Sequence, residues 1–476
     1  MEYLKTDLCI IGAGSGGLSL AAGAAQLGVK VVLVEADKMG GDCLNVGCIP
    51  SKALIAAGKA AHQARGSAKM GVTQGQALHV DLARAKAYVA EVIAKIAPHD
   101  SQDRFEGLGV TVIRAWGRFT SPKTLEAGGH VIKARRFVIA TGSRASVPLI
   151  AGLDSVPYLT NETIFDPSLL PRHLLIIGAG PIGVEMAQAH VRLGVQVSLI
   201  DSGPLLGCED PDLTAPVAAA LRAETVALYI DHTIKQVAPT GPEGSIRVTL
   251  ADGTTLTGSH LLMATGRQPQ IMGLGLDVAG VKTGKNGVLA SDGLRTSNKR
   301  IYVMGDAVQD GLQFTHVAGT HAGLLARRLL FGLRARKKRT LIPRVTYSDP
   351  ELAQVGLTLA EARAHYGDKV TVITQSLKCS DRAQTQDQQD QGLIKLIIYA
   401  GRPIGVGITA PHAGELISLW TLVLTRKISL SAVAGMTFPY PTLSEISKQA
   451  VRGYFSPKLF GNLWIRAWVL FVQRYL

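Results

Sequence analysis

Cysteine is scarce, with five residues in a chain of 476. That is too few for the disulfide framework of a secreted scaffold, so a reducing, cytoplasmic setting is the default expectation. Aromatic residues make up only 5% and no nucleic-acid-binding motif is present, so nucleic acid is excluded as a partner despite a net charge of +14. Charged residues stop at 18% beside an ordinary 47% of apolar ones, which excludes global disorder and an all-round coiled coil. No apolar stretch spans a bilayer convincingly. The longest, 403–425, is interrupted by Pro411, His412 and Glu415 and reads as a strand and a helix. The N-terminal segment runs straight into a strand without a charged n-region or cleavage site, so no signal peptide is expected. The densest basic run, Arg334, Arg336, Lys337, Lys338 and Arg339, reads as a solvated loop between domains.

Glycine, by contrast, is abundant at 52 residues, without a collagen period, which points to tight turns and close backbone approaches. The length suits about three domains and a sizeable core. One unit occurs twice. Residues 6–11 form a short apolar strand that leads into Gly12-Ala13-Gly14-Ser15-Gly16-Gly17, a helix, and a second strand ending at Glu35. Residues 173–177 lead likewise into Gly178-Ala179-Gly180-Pro181-Ile182-Gly183, a helix, and a strand ending at Asp201. In each copy the second glycine precedes the acid by 21 residues, 14 to 35 and 180 to 201. A lone glycine fingerprint is weak evidence; two copies with strand, helix, strand and acid in order predict two bound dinucleotides. Gly12 and Gly178 would make the tight turn, and Gly14 and Gly180 would let the backbone approach a pyrophosphate. Gly17 and Gly183 would let helix and strand pack closely, and Glu35 and Asp201 would take the adenosine ribose hydroxyls. No Arg lies in 202–207 to meet a 2′-phosphate, so the second dinucleotide reads as NAD(H) rather than NADP(H).

Cys43 and Cys48 sit inside the first unit, in Gly40-Gly41-Asp42-Cys43-Leu44-Asn45-Val46-Gly47-Cys48-Ile49-Pro50-Ser51-Lys52. In an ideal helix two Cα atoms five residues apart lie ~8.6 Å from one another, whereas a disulfide needs about 4.4–6.8 Å. A bond between them therefore requires a distorted helical start, which Gly47 and Pro50 could allow. Zinc is the poorer reading, because no second Cys/His pair stands at ligand spacing. Cys9, Cys208 and Cys379 read as inert packing.

The segment GGDCLNVGCIPSKAL closely resembles the redox motif of the class I pyridine nucleotide-disulfide oxidoreductases, which include dihydrolipoamide dehydrogenase, glutathione reductase and mercuric reductase. The resemblance continues through Ala140-Thr141-Gly142-Ser143, Ala264-Thr265-Gly266-Arg267, Tyr302-Val303-Met304-Gly305-Asp306-Ala307, Phe314-Thr315-His316-Val317-Ala318 and the stretch 347–362. It implies an α/β fold of two nested Rossmann-like domains plus a C-terminal α+β dimerisation domain. The expected division is FAD domain 1–150, NAD(H) domain 151–270, FAD return 271–340, interface domain 341–456 and tail 457–476. It implies a homodimer with FAD as first dinucleotide. Asp306 would hold the ribityl chain and His316 would lie near the pyrimidine end. Lys52 with Glu185 would lie near the flavin N5, Lys52 grouped with the FAD site and Glu185 with the NAD(H) site. Gly117, Thr141, Gly142 and Ser143 would line the FAD site and Gly266 the NAD(H) site. Electrons would run from NADH through FAD to a Cys43–Cys48 disulfide, with Cys48 as the charge-transfer thiolate and Cys43 as the interchange thiol.

Two departures matter. Lipoamide and glutathione reductases carry His where this chain has Tyr440, paired with the residue matching Glu445. A His of pKa ~6.5 accepts a thiol proton near neutrality, whereas Tyr, with pKa ~10, is chiefly a donor. Mercuric reductases share the Tyr but carry a C-terminal vicinal Cys pair, and this chain has no Cys after Cys379. The leading expectation is an enzyme working reductively on a disulfide, a thiol-oxidising species or a soft metal, with no resident metal. The alternatives are dihydrolipoamide dehydrogenase, a mercuric reductase lacking the Cys pair, and a membrane-docked electron-transfer flavoprotein. The tail 458–476 reads as amphipathic, and its fourteen residues from Leu463 make only ~21 Å of helix, too short for the ~30 Å hydrocarbon core. It would dock on its own protein or dimer partner, or lie on a membrane surface.

Overall fold

The computed structural model describes residues 2–73, 78–241, 244–334, 336 and 341–475. Lys337, Lys338 and Arg339 of the basic run lie outside them; Arg334 and Arg336 are exposed. The chain divides into two compact units, Met1–Gly178 with Ala189–Ile200 and His232–Arg339, and Ala179–Gln188 with Asp201–Asp231 and Thr340–Leu476.

In the first unit the strand Glu2–Ile11 is exposed or half-buried up to Asp7 and fully buried from Leu8 to Ile11. That change marks its entry into the middle of a parallel sheet, covered on both faces. It pairs in parallel with Val31–Glu35 on one side and His130–Ile139 on the other, and Thr111–Arg114 extends the sheet beyond Val31–Glu35. The chain comes back to this sheet much later, when Ile301–Val303 pairs in parallel with Phe137–Ile139. The second glycine unit is therefore inserted in sequence within the first. Its strand His173–Ile177 runs parallel between Gln196–Ile200 and His260–Met263. The repeat seen in the sequence is thus a repeat of parallel strand, turn and helix.

One buried cation helps to hold this unit. Lys86, on the helix Leu82–Ile96, donates from Nζ to the carbonyls of Ile164 (2.9 Å), Asp166 (3.1 Å) and Leu169 (2.5 Å). Burial pushes its ammonium down to about 8.

The second unit contains a five-stranded antiparallel sheet in the order Arg344–Thr346, Glu351–Gly356, Arg402–Ala410, Leu393–Tyr399, Val370–Ser376. The apolar stretch 403–425 forms one of these strands and the helix Ala413–Arg426, as its interruptions foretold. Trp420 of that helix is fully buried and donates from Nε1 to Ser447 Oγ at 3.0 Å, on the helix Glu445–Phe460. The architecture is accordingly α/β with two Rossmann-like units and a C-terminal α+β portion. No described helix is long and apolar enough to cross a membrane.

Among the cysteines set aside as packing, only Cys9 is buried, its thiol pushed upward by burial. Cys208 and Cys379 are exposed, contrary to the packing expected of them, because both lie in surface segments rather than on buried faces.

Candidate redox site

The two glycine turns are built alike. Gly12 has φ +109° and Gly178 has φ +110°. A Cβ at Gly12 would stand 2.3 Å from the Ala140 carbonyl oxygen, and one at Gly178 would stand 2.4 Å from that of Ala264. Both positions therefore demand glycine twice over, by conformation and by space. A Cβ at Gly17 would fall 2.0 Å from the Gly12 oxygen, so the third glycine closes the turn on itself, and Gly183 is buried in the matching place. Gly14 and Gly180 face open space, which leaves room for a ligand against the backbone. The helix Ser15–Gln26 starts at Gly14 without a side-chain cap, so its first N–H groups point outward for an anion. The acids repeat the same pattern. Glu35 accepts from the backbone N–H of Ala13 (2.6 Å) and of Asp37 (2.8 Å), and Asp201 from Ala179 (2.6 Å) and Gly203 (2.8 Å).

A polar network occupies the expected FAD side of the first unit. Ser143 donates to Asp306 Oδ2 at 2.6 Å, and Arg267 donates from Nε to Ser143 Oγ at 2.8 Å. Arg267 also pairs with Asp42 Oδ1 at 2.9 Å, which Asn161 contacts at the same distance while donating to the Val46 carbonyl. Burial pushes the Asp306 carboxyl up, opposed by the Ser143 bond and the Arg267 charge. His321, buried, accepts the Gly305 N–H at 3.1 Å and so fixes the backbone beside Asp306. Thr141 Oγ1 is buried with no hydrogen-bond partner among the described residues. An orphaned hydroxyl next to uncapped helix N–H groups is what a polar cofactor would satisfy, so the residues present fit a flavin dinucleotide. Gly142 has φ +69° and open space. A Cβ at Gly117 would meet Leu125 at 3.2 Å and Val34 at 3.3 Å. His316 is exposed and stacks on Phe314 at 5.2 Å. Gly266, at φ +121°, also faces open space. Glu185 is buried and accepts the Tyr347 N–H at 2.9 Å.

Between the two cysteines the helix breaks, as the spacing argument required. Gly41–Asn45 is one short helix and Cys48–Gly66 the next, separated by Val46 and by Gly47 at φ −127°, ψ −113°. A Cβ on Gly47 would lie 2.7 Å from Asp42 Oδ2 and 2.8 Å from Asp42 O, so the turn needs glycine here. Pro50 falls in the first turn of the second helix, where it costs little. Both cysteines are half-buried free thiols. Cys48 is held down to about 6, chiefly by the bond from Cys43 against the cost of burial. The Thr315 hydroxyl, 3.1 Å away, and the Lys52 charge add to this, while Asp42 opposes it. Cys43 is pushed up by the same bond, by burial and by the Cys48 charge. The pair is thereby driven apart, Cys48 toward the thiolate and Cys43 toward the protonated thiol.

In the second unit Tyr440 donates to Asp381 Oδ2 at 2.9 Å, which together with the Asp381 charge raises its phenol. Glu445 starts the helix Glu445–Phe460. Sequence reasoning missed four functional neighbours. Arg267 and Thr315 stood inside quoted motifs without a role. Asn161 and His321 have no local signal, because their partners are 119 and 16 residues away.

The chain matches the pyridine nucleotide-disulphide oxidoreductase family over residues 6–322 and that family's dimerisation domain over 342–451. It is 34% identical to a mercuric reductase of Streptomyces lividans, covering 94% of this chain and 96% of that one. It is 35% identical to a dihydrolipoyl dehydrogenase of Thermus scotoductus, covering 93% and 96%. Among solved structures it resembles the HOCl-induced flavoprotein disulfide reductase RclA of Escherichia coli in its Cu(II) complex. That likeness has a TM-score of 0.83 at 26% identity, over 94% of this chain and 99% of the other.

Proposed function

The chain belongs to the pyridine nucleotide-disulphide oxidoreductase family and is an FAD-dependent disulfide oxidoreductase, and on that premise we propose that it works reductively, with NADH as donor and a thiophilic metal ion as acceptor at Cys43 and Cys48. When bound, the flavin supplies hydride acceptance from the nicotinamide and two-electron delivery to sulfur. The FAD is held by Gly12, Gly14, Gly17, Glu35, Lys52, Gly117, Thr141, Gly142, Ser143, Asp306 and His316. The nicotinamide dinucleotide is held by Gly178, Gly180, Gly183, Glu185, Asp201 and Gly266. NADH is preferred because both Asp201 oxygens already accept backbone N–H groups and a carboxylate so fixed repels a 2′-phosphate. The division proposed is an FAD domain of 1–150 with its return at 271–340, an NAD(H) domain of 151–270, an interface domain of 341–456 and a tail of 457–476; the working form is a homodimer and the setting is the cytoplasm.

One observation carries the choice of acceptor: the Tyr440 hydroxyl donates to Asp381 Oδ2 at 2.9 Å and so offers no base to the thiols. Thiol–disulfide exchange needs Cys43 as a thiolate, and oxidation of a dithiol needs a base to take protons. Tyr440, standing where the lipoamide and glutathione enzymes carry His, is committed as a donor to Asp381. A thiophilic cation needs no such base, because binding to sulfur itself releases the proton. One relative is named a mercuric reductase, and RclA, named a disulfide reductase, is solved as a Cu(II) complex. The test is anaerobic turnover of the FAD-loaded enzyme with NADH and thiol complexes of Hg(II) or Cu(II), alongside lipoamide with NADH and dihydrolipoamide with NAD. Faster metal turnover is expected, with NADPH slower than NADH. Rapid lipoamide turnover in both directions, with none on metal, would make the chain a dihydrolipoamide dehydrogenase instead.

A further inference from the structure

The last helix, Leu463–Tyr475, buries none of its residues, which corrects the expectation that it docks on its own protein. It is nevertheless a well-formed element. The helix Glu445–Phe460 ends at Gly461, and Asn462 then accepts the N–H groups of Trp464 (2.9 Å) and Ile465 (3.3 Å) through Oδ1, capping the new helix. Trp464, Trp468, Phe471 and Tyr475 follow at spacings of four, three and four, which places them within a ~60° arc of the helix. They are exposed to 86%, 64%, 49% and 64%. The side chains line up along the stripe, with ring centroids 5.7 Å apart for Trp468–Phe471 and 4.9 Å for Phe471–Tyr475. Asn462, Arg466 and Gln473 occupy the opposite face.

Charge decides what covers this stripe. From residue 446 onward the chain carries Lys448, Arg452, Lys458, Arg466 and Arg474 and no Asp or Glu. A two-fold contact between two such tails would bring cations together with no acid in the segment to answer them. An anionic lipid surface answers Arg474, which stands beside the stripe, and meets no acid anywhere in the segment. Trp and Tyr, each with an apolar body and a polar N–H or O–H, suit the headgroup boundary. The helix is ~20 Å long and lies in the interface rather than spanning it.

We propose that Leu463–Tyr475 docks the enzyme on an anionic bilayer surface, aromatic stripe inward and Arg474 toward the lipid phosphates. The proposal is independent of the reading of the metal substrate. The test is flotation of the full-length, FAD-loaded enzyme with vesicles of phosphatidylcholine, with and without phosphatidylglycerol, read also by tryptophan emission. Binding to the anionic vesicles with a blue shift, released by salt, is expected. Replacing Trp464, Trp468 and Phe471 together by Ala should weaken it at least about tenfold, and Arg474→Glu should weaken it too, both with flavin content and NADH oxidation retained because these side chains are exposed. Three results would each overturn the proposal: no vesicle binding, equal binding to neutral and anionic vesicles, or binding unchanged by both variants. Loss of dimer in the aromatic variant, with no vesicle binding by the parent, would assign the stripe to a second copy.

Discussion

Thr315→Val removes the hydroxyl that stands 3.1 Å from the Cys48 sulfur and leaves the packing volume almost unchanged. Hydrogen bonds to charged groups contribute about 1.5–3 kcal/mol. Taking ~1.5 kcal/mol for this half-buried sulfur, and ~1.36 kcal/mol per pKa unit, the thiol should rise by about one unit, from about 6 toward 7. The sign of the pH dependence follows. Cys48 is depressed from an ordinary value of 9.0 to about 6, so its thiolate stabilises the reduced fold fully above 9 and that contribution is lost as pH falls through 6. Reduction of the disulfide draws on the same thiolate. A tenfold change in the equilibrium of a two-electron couple is ~30 mV, so the variant should be ~30 mV more negative than the parent at about pH 8. The difference should fade below the pKa near 6, where both thiols are protonated. Equilibration against dithiothreitol buffers, followed by alkylation and mass counting, reads the potential directly, and alkylation rate against pH reads the thiol. Thr315→Ser should restore both values. A potential and thiol pKa unchanged by Val would mean that Thr315 only accepts from Cys48, and the account of the thiolate would be wrong.

Two further perturbations test separate parts of the structure. Tyr440→His should raise dihydrolipoamide oxidation by NAD by at least about tenfold, since it supplies an acceptor of pKa ~6.5 in place of a donor; a folded, FAD-loaded variant without gain would sink the proton-acceptor argument. Lys86→Met leaves three carbonyls without their donor and should lower stability by about 2–4 kcal/mol, measured as the shift in urea midpoint at unchanged slope; a shift under ~1 kcal/mol would show that water replaces the ammonium.

Much of this was legible in the sequence, for reasons that are local. The glycine turns could be read because Gly12 and Gly178 answer to steric demands set by their own strands, and each acid returns to the residue after the first glycine. The break between Cys43 and Cys48 could be read because helix geometry forbids a bridge at that spacing without one. The tuning of the pair could not. Thr315 reaches Cys48 across 267 residues, and Asn161 reaches Asp42 across 119; no periodicity encodes such contacts. Tyr440 stood in a motif, but its partner Asp381 carries none. The tail was read as amphipathic, yet only the structure showed its aromatic face uncovered.

The most direct test of the central claim is single-turnover mixing of NADH with anaerobic, FAD-loaded enzyme, comparing the parent with Cys43→Ser. Electrons are predicted to enter the flavin in both proteins, while only the parent gains two titratable thiols and then reduces a thiol complex of Hg(II) or Cu(II). Metal reduction at the parental rate by Cys43→Ser, or loss of flavin reduction with FAD still bound, would contradict the assigned electron path.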